Sequence, residues 1–304
     1  MKKYKELNNY IEKNNLDYAI TQNKKLDIEI NVPIAFSNCM SKNMHLDPKL
    51  HMESCNSIIV VAMEYMINKY NKECPHISSG YSHYDYHNIL ELHLEKISKI
   101  LQLEKYLIQV DTGPLLEKNF AELAGLGYIG KNNLLITEKF GSKVFLGLIL
   151  TNDILQATQR KCINKCKTCN KCLKECPTSA ISVNKFDHKK CISYLTQTKS
   201  DITYTNMKDM KNFLYGCDIC IRTCPLNKSI EIENTIDINF LINMNKKDFE
   251  IFKNTGIYWR SLNTIKRNAI INYYNIASII ADIETKSEII NKTKEVLKNG
   301  TMEE

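Results

Sequence analysis

Eight of the twelve cysteines in this 304-residue chain are spaced as ligands of iron–sulfur clusters. Four of them form a C-x2-C-x2-C-x3-C run before a proline, as in bacterial ferredoxins: Cys166, Cys169, Cys172 and Cys176. Three more repeat the end of that run and one lies between the two groups: Cys217, Cys220, Cys224 and Cys191. Two [4Fe–4S] clusters require eight thiolates. The spacing therefore predicts one-electron transfer through two clusters.

In two-cluster ferredoxins the fourth cysteine of each run binds the other cluster. We therefore expect one cluster on Cys166, Cys169, Cys172 and Cys224, and the other on Cys176, Cys191, Cys217 and Cys220. The alternative is structural zinc, which usually takes separated cysteine pairs and fits a triple run poorly. The remaining cysteines have no ligand spacing and are expected to be buried or incidental thiols: Cys39, Cys55, Cys74 and Cys162.

Residues 125–130 read GLGYIG, which matches the G-x-G-x-x-G pattern of dinucleotide sites. That pattern needs a strand before it and a helix after it. Here helix formers precede Gly125, and the apolar run 134–136 follows Gly130. The order is helix, glycine turn and strand, so we do not assign a nicotinamide or flavin site.

The composition is that of an ordinary globular protein, with 43% hydrophobic and 25% charged residues. A net charge of +7 is compatible with an anionic partner such as nucleic acid. The apolar runs 57–63 and 144–150 are too short to span a bilayer, and the N-terminus does not resemble a signal peptide. We expect a cytoplasmic protein that does not enter the membrane, whose cysteines serve metal or redox chemistry instead of disulfides.

The elements that must position these residues indicate an α+β fold. We expect a mixed α/β domain over 1–155, with strands at 57–63, 106–110 and 144–150. Its main helix should carry a core-facing stripe: Ile89, Leu92, Ile97, Ile100 and Leu101. A ferredoxin-like two-cluster domain is expected over 156–230, and a short helical, HEAT-like segment over 231–304.

The order of several motifs resembles the epoxyqueuosine reductase family across most of residues 45–275. The matching stretches are SIIVVAMEY, DYH, VDTGPLLEKNFAELAGLGYIGKNNLLI, GSKVFLGLILT, CKTCNKCLKECPTSAI, KCISYLT, YGCDICIRTCPLN and FKNTGIYWRSLNTIKRNAII. The resemblance implies reduction of epoxyqueuosine to queuosine at the wobble position of tRNA. It also implies cobalamin in the N-terminal domain, two [4Fe–4S] clusters, an external electron donor and a monomeric enzyme.

The resemblance also assigns roles to residues that the sequence alone leaves open. By itself, Asp111 is typical of a turn or helix cap, but it matches the catalytic acid of the family. Cofactor contacts are implied for Gly125, Gly127, Gly130, Lys131, Asn132, Tyr86 and His87. Contacts to tRNA phosphates are expected from three basic residues, although a solvated helix face is an equal alternative: Arg260, Lys266 and Arg267.

Two other functions fit parts of the pattern. One is a cobalamin- and iron–sulfur-dependent reductase of a small molecule, related to the reductive dehalogenases. The other is an electron carrier or metal-organised nucleic-acid module without catalysis. Iron–sulfur protein without affinity for cobalamin would favour the second, and binding of a small molecule instead of tRNA would favour the first.

Overall fold

The structure is a computed structural model that describes residues 2–29, 41–82, 84–183, 185–227, 231–233 and 235–300. Its strands are β1 (Leu16–Gln22), β2 (Ser57–Glu64), β3 (Ile67–Asn68), β4 (His76–Ile77), β5 (Tyr106–Val110), β6 (Gly127–Ile129), β7 (Leu135–Thr137), β8 (Val144–Thr151), β9 (Ile181–Ser182), β10 (Lys185–Phe186), β11 (Phe213–Tyr215) and β12 (Glu231–Ile232). Its α-helices are α1 (Lys2–Lys13), α2 (Ser79–Ser82), α3 (Tyr86–Leu101), α4 (Glu117–Leu123), α5 (Lys171–Glu175), α6 (Ile192–Gln197), α7 (Tyr204–Asp209), α8 (Ile219–Arg222), α9 (Ile238–Asn243), α10 (Lys246–Phe249), α11 (Leu262–Ala277) and α12 (Glu288–Gly300). Cys39 lies outside the described residues.

The chain divides into two compact units. The first comprises residues 1–65, 86–170 and 225–228, and the second comprises 66–85, 171–224 and 229–304. The predicted domain boundaries at 155 and 230 remain predictions. Within the described ranges, no helix is both long and apolar enough to cross a bilayer.

The first unit is built on a four-stranded sheet in the order β1-β2-β8-β5. Every neighbouring pair in this sheet is antiparallel. The predicted strands at 57–63, 106–110 and 144–150 correspond to β2, β5 and β8. This arrangement is not the parallel sheet of a dinucleotide-binding fold, in agreement with the motif analysis.

Both faces of this sheet are buried, which explains why β2 reads as a continuous apolar run and does not alternate. On one face, Ile59 and Val61 join a core with residues from α1 and α3. On the other face, Ile58 and Val60 join a core that includes Phe120 of α4. Successive side chains of a strand point to opposite faces, so each face needs its own covering helices.

The core stripe of α3 differs from the predicted one. Leu90 and Leu94 are fully buried, whereas Ile89 and Leu92 are exposed. Ile97, Ile100 and Leu101 are buried as expected. The first half of the helix offers two overlapping apolar stripes, and packing against the sheet selects the one that contains Leu90.

The second unit packs helices and short strands around one core. Two parallel strand pairs bring distant segments together: β3 with β12 and β4 with β11. The long helix α11 contributes Ile265, Ala269, Ile270 and Ile271 to this core. Segment 66–85 therefore belongs to this unit even though it lies early in the chain.

Candidate active site and cluster-binding cysteines

Asp111 lies immediately after β5, at the start of a tight turn in the first unit. Its backbone is left-handed, with φ of +52°, a conformation that is uncommon for residues other than glycine. Its N–H donates to Glu117 Oε1 at 2.7 Å. The Asp111 carboxylate is 59% exposed, so the turn presents it outward.

Two side chains brace the rest of this turn. The Gln109 amide donates to Leu115 O at 2.8 Å and accepts from Leu115 N–H at 3.0 Å. The imidazole of His45, which is almost fully buried, bonds through Nδ1 to Pro114 O at 2.6 Å. A side chain at Gly113 would collide with Gln109, because a Cβ there would lie 1.9 Å from Gln109 Cγ. These contacts brace the Asp111 turn from both sides.

Two of the predicted cofactor residues lie beside Asp111. His87 Nε2 is 3.3 Å from Asp111 Oδ2, and the side chain of His87 is 33% exposed. The ring of Tyr86 stacks on that of His87 at 4.3 Å and on Phe145 of β8 at 3.7 Å. The ring stack fixes the start of α3, and with it the position of His87 against the carboxylate. The structure thus brings Asp111, Tyr86 and His87 together, and their roles in catalysis and cofactor binding remain predictions.

Glu117 is a second carboxyl group at this site that the sequence analysis did not single out. Burial, and then the charge of Asp111, raise its pKa to about 8. Its position in the first turn of α4, six residues after Asp111, was the signal available in the sequence. A buried carboxyl with a strongly raised pKa beside another carboxyl is typical of functional sites.

Glu117→Gln is expected to remove a pH-dependent loss of stability. An unfolded glutamate titrates near pH ~4.3, whereas folding raises the pKa of Glu117 to about 8. Between these values the folded chain holds a proton that the unfolded chain has released, so wild-type stability falls as the pH rises. The variant should gain at most about 1.4 kcal/mol over wild type per pH unit in this window. Urea unfolding at several pH values within this window measures the gain. The control is Glu91→Gln, a substitution at an exposed position. If the free energy of unfolding depended on pH in the same way in wild type and both variants, the raised pKa of Glu117 would be contradicted.

The glycine motif has the predicted order of elements. Helix α4 ends before Gly125, and β6 and β7 form an antiparallel hairpin after it. A Cβ at Gly127 would lie 2.4 Å from Ile136 O of the paired strand. A Cβ at Gly130 would lie 2.5 Å from the side chain of Ile136. Close packing within the hairpin thus accounts for both glycines.

Lys131 and Asn132 also have partners within the first unit. Lys131 Nζ donates to Lys167 O, Cys169 O and Asn170 Oδ1 at 3.2, 3.0 and 2.9 Å. Asn132 is buried, and its Oδ1 accepts from Leu134 N–H. Cofactor contacts by these two residues and by the three glycines remain predictions.

The second unit groups five of the eight predicted cluster cysteines. Burial raises the pKa of the Cys220 thiol, and the charges of Cys191, Cys172 and Cys176 raise it further. Burial, and then Cys220 and Cys191, raise the pKa of Cys217 in the same way. Thiols so placed ionise only with a compensating cation, as when they bind metal.

The other three predicted cluster cysteines lie in two places along the chain. Cys166 and Cys169 are half-buried and stand in an irregular loop of the first unit, and Cys224 follows α8 in the second. In the described part of the chain, no three His, Cys, Asp or Glu side chains converge as ligands of a single metal ion do. Among the unassigned thiols, Cys55 is buried, while Cys74 and Cys162 are half-buried.

One of the three predicted tRNA contacts is wrong. Arg267 is 1% exposed, and its guanidinium donates to Thr198 O at 2.7 Å, to Leu195 O and to Asn268 Oδ1. Burial lowers its pKa to about 10. Arg267 therefore supports the core of the second unit and is not available to a phosphate. Lys266 is half-buried with Nζ on Met244 O at 3.1 Å, and Arg260 is half-buried.

Arg267→Met is expected to destabilise the second unit by about 3 kcal/mol or more, because it leaves buried carbonyl groups without donors. Lys266→Met, which removes a half-buried donor one residue away, should cost about 1 kcal/mol. Chemical unfolding measures both. A normal stability of Arg267→Met combined with weaker RNA binding would restore the phosphate-contact interpretation.

Comparisons with known proteins identify the family. The model described as "4Fe-4S double cluster binding domain" matches residues 165–227, and the model "Epoxyqueuosine reductase QueG, DUF1730" matches 46–112. The epoxyqueuosine reductase of Lactococcus garvieae is 34% identical over 250 residues, covering 74% of this chain and 70% of its own length.

Solved structures share the fold. The crystal structure of a selenomethionine-labelled epoxyqueuosine reductase superimposes with a TM-score of 0.77 at 26% identity, covering 91% of this chain and 84% of that one. An epoxyqueuosine reductase crystallised with an epoxyqueuosine-modified tRNA-Tyr stem loop has a TM-score of 0.80 at 24% identity, covering 97% and 100%. The chain therefore belongs to the epoxyqueuosine reductase family, oxidoreductases that use cobalamin and two [4Fe–4S] clusters.

Proposed function

We propose that this chain reduces epoxyqueuosine to queuosine at the wobble position of tRNA, with Asp111 as the proton donor. The main observation that supports this proposal is the exposed carboxylate of Asp111, which lies on a braced turn with left-handed backbone. Family membership supports the reaction. The relative with a bound epoxyqueuosine-modified stem loop supports tRNA as the form of the substrate.

The reaction requires two electrons and two protons, because the epoxide oxygen leaves as water and its two carbons become a double bond. Asp111 delivers a proton to the departing oxygen, which prevents an alkoxide from accumulating. His87, 3.3 Å from Asp111 Oδ2, orients that carboxyl group. The brace from Glu117 and Gln109 fixes the direction in which the acid points, and such positioning is a large part of catalytic rate.

The residues of the site fit the family's cofactors. The exposure of Asp111 and His87 leaves both groups accessible to a bound corrin and substrate, and Tyr86 and His87 are the residues we assign to cobalamin contact. When bound, cobalamin supplies a strong reductant for opening the epoxide. The protein's part is to hold Asp111 and His87 facing that place and to supply the proton.

The grouped thiols of the second unit fit an iron–sulfur cluster, because thiolates are its ligands. We assign Cys176, Cys191, Cys217 and Cys220 to one cluster, and Cys166, Cys169, Cys172 and Cys224 to the other. An external donor would reduce the clusters one electron at a time. We place the reaction in the cytoplasm, carried out by a monomer.

Arg260 and Lys266 are the remaining candidates for contacts to the tRNA backbone. Basic side chains contribute affinity through phosphates and do not select sequence. Their replacement by methionine should therefore weaken binding of all tRNA stem loops to a similar extent, and should reduce the dependence of binding on salt.

Comparing two substrates tests the proposal: an epoxyqueuosine-modified stem loop and the free epoxyqueuosine nucleoside. With reductant and cobalamin, kcat/KM should be much higher for the stem loop. Equal kcat/KM values would contradict tRNA recognition and favour the small-molecule reductase. If protein that carries two clusters and bound cobalamin converted neither substrate, the proposed reaction itself would be contradicted.

A further inference from the structure

The segment 125–131, which includes the glycine motif, runs beside the segment that leads into the Cys166–Cys169 loop. Three successive contacts join them within the first unit. The Cys162 thiol donates to Gly125 O at 3.3 Å. The N–H of Lys165 donates to the hydroxyl of Tyr128 at 3.1 Å. The ammonium of Lys131 reaches Cys169 O at 3.0 Å.

The left-handed Gly125 makes the first of these contacts possible. Its φ is +78°, and a Cβ there would lie 2.8 Å from Arg160 O. Any larger residue would push the two segments apart. The first glycine of the motif therefore approaches the chain's own backbone, at the point where the cysteine-bearing segment begins.

Lys131 makes the most extensive contact with the loop itself. Its three donors reach Lys167 O, Cys169 O and Asn170 Oδ1 at 3.2, 3.0 and 2.9 Å. An ammonium has three donors, so this set of acceptors uses them all. Lys131 gathers one side-chain oxygen and two carbonyl oxygens around a single cation.

The loop has little structure of its own to hold it. Between residues 164 and 170 its internal bonds are the turn from Cys169 N–H to Cys166 O, at 3.2 Å, and the bond from Cys166 N–H to Asn164 Oδ1, at 2.8 Å, among the bonds described. It contains no helix or strand. Ordering such a loop costs conformational entropy for each of its residues. Contacts that order it beforehand reduce the cost of closing it around a metal cluster.

We propose that residues 125–131 form the surface on which the Cys166–Cys169 loop is held, and that Lys131 is a positioning residue for the cluster that this loop binds. Two of the hydrogen bonds hold loop carbonyls and the third holds the Asn170 side chain. The positive charge of the ammonium compensates the negative charge of thiolate ligands. The inference rests on the proposed cysteine assignment and is independent of the substrate. A failure of epoxide reduction would therefore leave it standing.

Lys131→Met tests this role through the release of iron, independently of turnover. In the reconstituted full-length protein, a ferrous chelator should remove about half of the iron roughly tenfold faster or more than in wild type, because charge-assisted bonds to the loop are lost. The other half should leave at the wild-type rate. Lys131→Arg keeps the cation and its donors, and should restore slow release. The cluster of the faster phase should also have a more negative midpoint potential, since a nearby positive charge has been removed.

Lys139→Met is the matched control, because Lys139 Nζ donates to Leu16 O at 2.7 Å in the same unit. It should release iron at the wild-type rate. Wild-type release from Lys131→Met would overturn the proposal, and so would equal acceleration of all the iron, which would indicate general destabilisation. If circular dichroism shows that Lys131→Met does not fold, Tyr128→Phe replaces it as the test. This substitution removes only the hydroxyl that accepts from Lys165 N–H. If half of the iron of Tyr128→Phe is released faster than in wild type, the proposal is supported. If its iron is released at the wild-type rate, the proposal is overturned.

Discussion

Asp111→Asn is expected to lower the rate of epoxide reduction by about 10²- to 10⁴-fold, the usual contribution of a positioned general acid. Asparagine has nearly the same shape and can accept the contact from His87, but it carries no proton acidic enough for the leaving oxygen. The bond to Glu117 Oε1 is donated by the backbone N–H of Asp111, which the substitution leaves in place, so the turn should keep its conformation. Single-turnover assays of queuosine formation measure the effect.

The matched control is Asp27→Asn, which replaces an exposed carboxylate elsewhere in the first unit. It should turn over at the wild-type rate. Iron content and cobalamin uptake should be unchanged in both variants, which assigns the loss to proton donation. Full turnover by Asp111→Asn with all cofactors bound would contradict the role of Asp111 as the acid.

Cys220→Ser is expected to abolish turnover and to halve the iron content, from roughly eight atoms per chain to roughly four. Burial raises the pKa of the Cys220 thiol, and the charges of Cys191, Cys172 and Cys176 raise it further. A serine hydroxyl does not ionise there, so the cluster loses a ligand. Iron and acid-labile sulfide analysis measure the loss.

Cys74→Ser provides the comparison for this variant. Cys74 is a half-buried thiol that has no ligand spacing, and its replacement should leave the iron content and turnover unchanged. If Cys220→Ser kept roughly eight iron atoms, the assignment of this residue would be wrong. If Cys74→Ser lost iron, a thiol outside the two runs would have to be a ligand.

The parts of the fold that local sequence determines could be predicted. The apolar runs at β2 and β8 indicated buried strands, and the helix formers before Gly125 indicated that a helix, not a strand, precedes the glycine motif. Both signals depend on neighbouring residues alone. The cysteine spacing is also local, and the match of the double-cluster model to 165–227 agrees with it.

The parts that depend on tertiary packing could not be predicted. The apolar residues of α3 permit two stripes, and only contact with the sheet buries Leu90 and Leu94 instead of Ile89 and Leu92. Arg267 is a basic residue on α11 and was expected at the surface, but carbonyl groups of Leu195 in α6 and of Thr198 just after it accept hydrogen bonds from its guanidinium. The periodicity of a helix in the sequence does not show which distant segment packs against it.

The Asp111 turn shows the same division. The role of Asp111 was assigned from the family resemblance, whose match at D-T-G-P is a contiguous stretch. Its braces come from separate parts of the first unit: Gln109 from β5, Glu117 from α4, and His45 from the short 3₁₀ helix at 42–45. The raised pKa of Glu117 arises from burial by this surrounding structure, which the sequence around it does not specify.

The most direct test of the proposed reaction is an anaerobic incubation of the reconstituted protein with epoxyqueuosine-modified tRNA and reductant, with and without cobalamin. Mass spectrometry of the digested tRNA should show queuosine, one oxygen atom lighter than its precursor, only when cobalamin is present. Unchanged epoxyqueuosine in tRNA bound to protein that carries both clusters and cobalamin would contradict the account.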